Sequence, residues 1–154
     1  MATLKKKIKK NKTRIAIVAA SFNDFITKRL LSACLAELKR QGLGDNQITT
    51  VWVPGSFEIP LTALKFARKK DIDAVICLGA VIRGETYHFE VVANECARGI
   101  REASLVSGKP VMMGVLTTDT VAQAQARAQE KGNNKGHDVA LAALEMIALL
   151  KTLG

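Results

Sequence analysis

Asp73–Glu90 reads DAVICLGAVIRGETYHFE, and the order of the fold can be worked out from it. Asp73–Leu78 is a short, almost wholly apolar run that fits a strand buried on both faces. Gly79 and Gly84 follow, five residues apart, and then comes His88, the first of only two histidines in the chain. The apolar spacing from His88 to Ser107 predicts a helix. A strand that runs through glycines into a helix marks the carboxyl edge of a parallel sheet, where a ligand crevice opens. Glycine lets backbone approach a ligand, and the amides that begin a helix favour an anion.

Working outward, three further apolar runs read as strands: Arg14–Ala20, Ile48–Val53 and Val111–Leu116. Helical spacing covers Phe25–Arg40 and Ile59–Lys70 between them, and Thr120–Glu130 and Asp138–Lys151 after the fourth strand. Thr120 and Gln123 fit a capping box. The expected fold class is α/β: a three-layer α/β/α sandwich around a four-stranded parallel sheet, doubly wound and flavodoxin-like. Residues 14–154 are expected to form one domain behind a basic arm, residues 1–13. From Val139 to Leu150 every residue but Glu145 is apolar, which predicts that a neighbouring subunit covers the last helix.

The net charge is +9, but seven of the 23 Lys and Arg residues lie in residues 1–14, which hold no Asp or Glu. The charge is therefore mostly a property of the arm. The arm has no aromatic residue to stack on bases, so nucleic-acid binding is not expected as the primary function. No apolar run approaches the ~20 residues that span a bilayer, and no signal peptide is evident. Cys34, Cys77 and Cys96 are far apart without a CxxC pair, and read as buried thiols of a cytoplasmic protein.

Three strand ends carry candidate chemistry. Gly79–Gly84 has P-loop spacing, but Glu85–Thr86 stands where Lys–Ser/Thr would follow, so a nucleoside triphosphate is excluded and a single phosphate monoester is not. Val53–Pro60, VPGSFEIP, presents a hydroxyl, an aromatic face and a carboxylate at Ser56, Phe57 and Glu58. These suit a polyol on a flat ring, although a helix cap with a core phenylalanine would read the same way. Phe22 stands after the first strand. His88 can exchange a proton or be structural; His137 reads as surface. Arg127 is a cation among small residues, with Lys135 eight positions on, and fits phosphate capture or plain solvation.

Together these segments resemble lumazine synthase of riboflavin biosynthesis. The resemblance rests on SFNDFITKRLL (Ser21–Leu31), WVPGSFEIPL (Trp52–Leu61), the stretch from Asp73 to Glu95, GVLTTDT (Gly114–Thr120) and NKG (Asn134–Gly136). It implies condensation of 5-amino-6-(D-ribitylamino)uracil with 3,4-dihydroxy-2-butanone 4-phosphate, without cofactor or metal. It also implies that Phe22 stacks on the pyrimidine, that Ser56, Phe57 and Glu58 meet the ribityl chain and ring, and that Ala80, Val81 and Ile82 bind the uracil edge. Glu85 and Thr86 would lie at the phosphate, and His88 would move protons. Arg127 and Met113 would come from an adjacent subunit, with Lys135 behind Arg127. The family forms pentamers, sometimes doubled to decamers or built into sixty-subunit shells.

Two features depart from the family pattern. Met113 replaces a phenylalanine common in the family, and QEKGNNKG (Gln129–Gly136) replaces the more usual GTKAGNKG. The short turn at Lys131–Gly136 has no insertion and is compatible with shells. The competing readings are a module that binds flavin or lumazine without turnover and a scaffold with a decayed site.

Overall fold

A computed structural model describes residues 12–154. Four parallel strands, β1 (Ile15–Ala20), β2 (Ile48–Val53), β3 (Ala74–Ile82) and β4 (Val111–Thr118), form one sheet in the order β2-β1-β3-β4. The helices are α1 (Asp24–Arg40), α2 (Ile59–Ala67), α3 (His88–Ser107), α4 (Val121–Ala126) and α5 (Lys135–Leu153). This is the expected flavodoxin-like α/β/α sandwich. Of the basic arm, residues 1–11 lie outside the described residues. Thr13, assigned to the arm by sequence, is fully buried, and its carbonyl accepts a hydrogen bond from Gln47 Nε2 at 2.8 Å.

Alternate residues of the inner strands serve two apolar layers. Ile15, Ile17, Ile76 and Leu78 pack with Ile26, Leu30 and Leu38 of α1 and with the inner face of α5. Ala16, Val18, Val75 and Cys77 pack with Ile59 and Ala63 of α2 and with Cys96 and Ile100 of α3. Each large apolar side chain so buried stabilises the fold by ~1.5–3 kcal/mol, and because both faces need one, these strands show no polar alternation. All three cysteines are buried free thiols; burial pushes Cys34 up to about 12 and Cys96 up to about 11.

Several boundaries move from their expected places. β3 continues four residues past Leu78, because Gly79–Ile82 pair with Val115–Thr118 of β4. α4 stops at Ala126 rather than Glu130: Ala128 bridges to Asn134 and Gly132 takes a φ of 117°, so the chain turns back. α5 starts three residues early, capped by Asn134 Oδ1, which accepts from the Gly136 amide at 2.8 Å. The apolar run of α5 is in large part explained within the chain. Val139, Ala140, Ala143, Leu144 and Ile147 are buried, and Leu141, Met146, Leu149 and Leu150 are half-buried. More exposed large apolar side chains are Leu61 on α2, Leu105 and Val106 on α3, and Leu153 at the end of α5 beyond this run.

Glu37, near the end of α1, is buried to 4% exposure. Its carboxylate accepts from Arg40 Nη2 at 2.6 Å, Arg40 Nε at 2.9 Å and Gln41 Nε2 at 2.9 Å, and His137 Nε2 lies 3.3 Å away. The bonds from Arg40, then from Gln41, hold the carboxyl down at about 2, against an ordinary 4.5. A depressed carboxyl stabilises the fold above its unfolded pKa, and that contribution is lost as pH falls through the folded value. Urea unfolding should therefore show stability falling between pH 4.5 and 2. Glu37→Gln should flatten that fall, and an unaltered slope in the variant would count against this source.

Candidate functional site

In this strand order the connections leave in opposite directions from β1 and β3, so their carboxyl ends diverge and leave a crevice. Past the strand ends, the Ser21 amide donates to the Val53 carbonyl at 2.8 Å and the Phe22 amide to the Pro54 carbonyl at 3.0 Å. These bonds extend the β1–β2 ladder and set Phe22 beside the loop after β2. Asn23 then takes a left-handed backbone, with φ at 61°, a conformation that asparagine tolerates. Its side chain does not cap α1. Instead Nδ2 donates to the Ala80 carbonyl at 2.8 Å and spans the crevice from β1 to β3.

The loop after β2 folds into a single 3-10 turn, Ser56–Glu58, with Pro60 in the first turn of α2. Ser56 is buried against β3, and a Cβ on Gly79 would lie 2.9 Å from its Oγ. Gly79 therefore does not open a phosphate turn, as its position in the sequence suggested. It is a strand residue whose missing side chain lets the β2–α2 loop settle on the sheet. The strand end lies at Ile82, and the lip proper is Arg83–Tyr87. At the lip the His88 amide, first in α3, donates to Thr86 Oγ1 at 3.3 Å.

These pieces enclose an open cleft of about 740 Å³. Phe22 and Phe57 are 73% and 56% exposed there, so two aromatic rings stand free at its mouth. Ser56, Glu58, Asn23, Thr86 and His88 add polar groups, and Ala80, Val81 and Ile82 give its strand wall. Glu85 is exposed on the lip beside the lining residue Thr86. An apolar cleft with a few convergent polar groups suits a flat ring that carries hydroxyls.

The other three expected site residues are not in this cleft. Met113 is partly exposed on the edge strand β4, opposite Cys77 and three residues short of Leu116, the partner of Ala80. Arg127 caps the end of α4, where its Nη1 donates to the Gln123 carbonyl at 2.9 Å. Lys135 starts α5, and its amide donates to the Arg127 carbonyl at 2.9 Å. Ala124 and Ala128, either side of Arg127, pack into the α1–α5 layer, whereas the cleft lies on the α2–α3 side. Among the described residues, no Lys or Arg lines the cleft, so they provide no fixed cation there for a phosphate.

Sequence reasoning passed over two residues that shape the site. Asn23 was legible only as part of a matching segment; its signal was an asparagine at a strand–helix junction, a position that favours a left-handed backbone. Arg83 appeared only as a letter between two glycines. Its Nε donates to Asp119 Oδ1 at 2.7 Å, Nη1 binds Glu90 Oε1, and the guanidinium lies 4.4 Å from the centre of the Phe89 ring. Among the described residues, no group of three His, Cys, Asp or Glu side chains is placed to hold a metal, and no helix is long and apolar enough to cross a membrane.

A family model described as 6,7-dimethyl-8-ribityllumazine synthase matches residues 12–151, nearly the whole chain. The match takes in every strand, all the loops around the cleft, and α4. A match of that extent, on a flavodoxin-like sheet with a ring-sized cleft at its switch point, places this chain in the lumazine synthase family.

Proposed function

We propose that the protein condenses 5-amino-6-(D-ribitylamino)uracil with 3,4-dihydroxy-2-butanone 4-phosphate to give 6,7-dimethyl-8-ribityllumazine, phosphate and water. The carrying observation is the single cleft that gathers Phe22, the Ser56–Glu58 turn, the Ala80–Ile82 wall and His88. Phe22 stacks on the pyrimidine, the Ser56–Glu58 turn holds the ribityl chain and ring, and the backbone of Ala80–Ile82 reads the uracil edge. The butanone phosphate sits at Glu85 and Thr86. The 5-amine adds to the ketone and loses water to form an imine. Phosphate then leaves together with the proton on the neighbouring hydroxyl-bearing carbon, and the resulting enol tautomerises to a new carbonyl. The ribitylamine adds to that carbonyl and closes the ring with loss of a second water. His88 transfers protons in these steps. Both reactants are intrinsically reactive, so most of the acceleration comes from holding them together in the near-attack geometry.

The missing cation gives the proposal its quaternary part. Arg127, supported by Lys135, and Met113 enter the cleft of an adjacent copy, so the working unit is a ring of five or a larger assembly of such rings. The cytoplasm is its proposed compartment. Incubating purified protein with both substrates should yield lumazine fluorescence and released phosphate in equal amounts. Binding of lumazine or flavin without turnover would instead support a carrier, and neither activity would support a scaffold.

His88→Ala should slow turnover by about tenfold to a hundredfold, the low end for general acid–base groups, because the substrates need little activation. Both substrate affinities should stay close to wild type. An unchanged rate from pH 6 to 8, measured under saturating substrates, would remove His88 from the mechanism.

A further inference from the structure

The lip that carries Glu85, Thr86 and His88 makes few bonds of its own. Gly84 has nothing within 4 Å of where a Cβ would lie, and residues Arg83–His88 are all exposed. One side chain ties its two ends. From the last residue before Gly84, Arg83 reaches forward to Glu90 and Phe89 in the first turn of α3, and across to Asp119 just past β4. Glu90 depends on this contact: among the described residues its Oε2 is buried without a hydrogen-bond partner, and its Oε1 is held by Arg83. The tie continues into α4. The Asp119 amide donates to Gln123 Oε1 at 2.7 Å, and the Gln123 carbonyl accepts from Arg127 Nη1.

We propose that Arg83 is a positioning residue, a forked clamp that holds the phosphate lip and the start of α3 in register with the end of β4. Its planar guanidinium serves two carboxylates on different elements while lying against Phe89, a geometry an ammonium cannot reproduce. Arg83 is bonded to both carboxylates through Nε and Nη1 and does not line the cleft. Its effect on substrate therefore runs through Thr86 and His88. The kinetic part of this inference rests on the function proposed above, whereas the structural part does not.

The test compares wild type with Arg83→Ala, Arg83→Lys and, as a control for losing an exposed ion pair, Lys28→Ala, which removes the Lys28–Asp24 bridge. Without substrate, hydrogen exchange at the Thr86–Phe89 amides should speed up by about tenfold in both Arg83 variants, and the β1 amides should stay protected. With substrates, KM for the butanone phosphate should rise by roughly tenfold and kcat should fall, since small misplacement is expensive in such sites. KM for ribitylaminouracil should change by less than about twofold, because its contacts lie on the loops after β1 and β2 and on Ala80–Ile82, which their pairing with Leu116–Thr118 of β4 holds without the clamp. Lys28→Ala should match wild type throughout.

Should Arg83→Ala fail to assemble, Arg83→Lys carries the comparison, since it keeps the charge and loses only the fork. Wild-type exchange at the lip in the Arg83 variants, or an equal rise in KM for both substrates, would overturn the proposal. A wild-type protein that turns over neither substrate would sink the proposed function alone, and the exchange comparison would still decide the clamp.

Discussion

Arg127→Ala should raise KM for the butanone phosphate by roughly ten- to a hundredfold, the loss of a charge-assisted pair worth ~1.5–3 kcal/mol. The substitution removes an exposed side chain whose hydrogen bond, among the described residues, is to the Gln123 carbonyl one turn back, so stability should barely change. KM for ribitylaminouracil should stay within about twofold, because Arg127 is not among the residues that line the cleft with the pyrimidine wall. The expected selectivity follows from the cleft's composition. Aromatic rings, hydroxyls, a carboxylate and an imidazole line it, but no Lys or Arg among the described residues does. Steady-state kinetics with each substrate varied in turn will show it. Equal weakening towards both substrates would point to a folding defect and away from a phosphate contact.

Gly136→Ala should be the most damaging single methyl in the molecule. At the start of α5, a Cβ there would lie 1.9 Å from the Leu30 carbonyl oxygen and 2.7 Å from its carbon, both backbone atoms of α1. No rotamer relieves a clash with backbone, so α5 has to lift away from α1, and the buried faces of Leu30, Val139 and Ala140 part with it. Overpacking commonly costs about 1–3 kcal/mol, and a collision this close belongs at or above the top of that range. For a fold with about 5–15 kcal/mol in total, that is a large fraction. Gly84→Ala, with open space around its Cβ, should change stability by less than about 0.5 kcal/mol. Denaturant unfolding of the two variants side by side measures the difference. Similar midpoints would mean that α5 does not seat as closely as described.

The same two helices show what could be read from sequence and what could not. Strand identity was plain, since Ile15–Ala20 and Ala74–Leu78 are apolar on both faces and only a covered parallel sheet accommodates that. The end of β3 was not. Gly79 read as punctuation, but a glycine also permits close packing, and Ser56 uses that permission. Which of the two applies depends on a loop more than twenty positions away. α5 was legible only in part: its apolar residues were evident, but that α1 and the sheet bury Val139, Ala140, Ala143, Leu144 and Ile147 while Leu141, Met146, Leu149 and Leu150 stay half-buried was not.

In the candidate site, the aromatic rings, the Ser56–Glu58 turn and His88 were legible because each stands next to a strand end. Asn23 and Arg83 were not, because their value lies in partners distant in sequence: Ala80 for one, Asp119 for the other. From the residues alone Arg127 was legible only as a cation; that it would serve an adjacent copy came from the family resemblance. Its placement on the far side of the sheet turns a list of residues into the claim that the site is shared between copies.

That claim has a direct test in mixed assemblies. Chains carrying Arg127→Ala and chains carrying His88→Ala are co-expressed in equal amounts with distinct tags, and assemblies holding both are purified. Activity is then measured at low butanone phosphate, where each variant alone is weak. If each site takes His88 from one chain and Arg127 from the next, random mixing makes about a quarter of the sites complete, and activity recovers to about a quarter of wild type. If both residues act within one chain, every site keeps one defect, and activity no higher than the mean of the two pure variants would contradict the shared site.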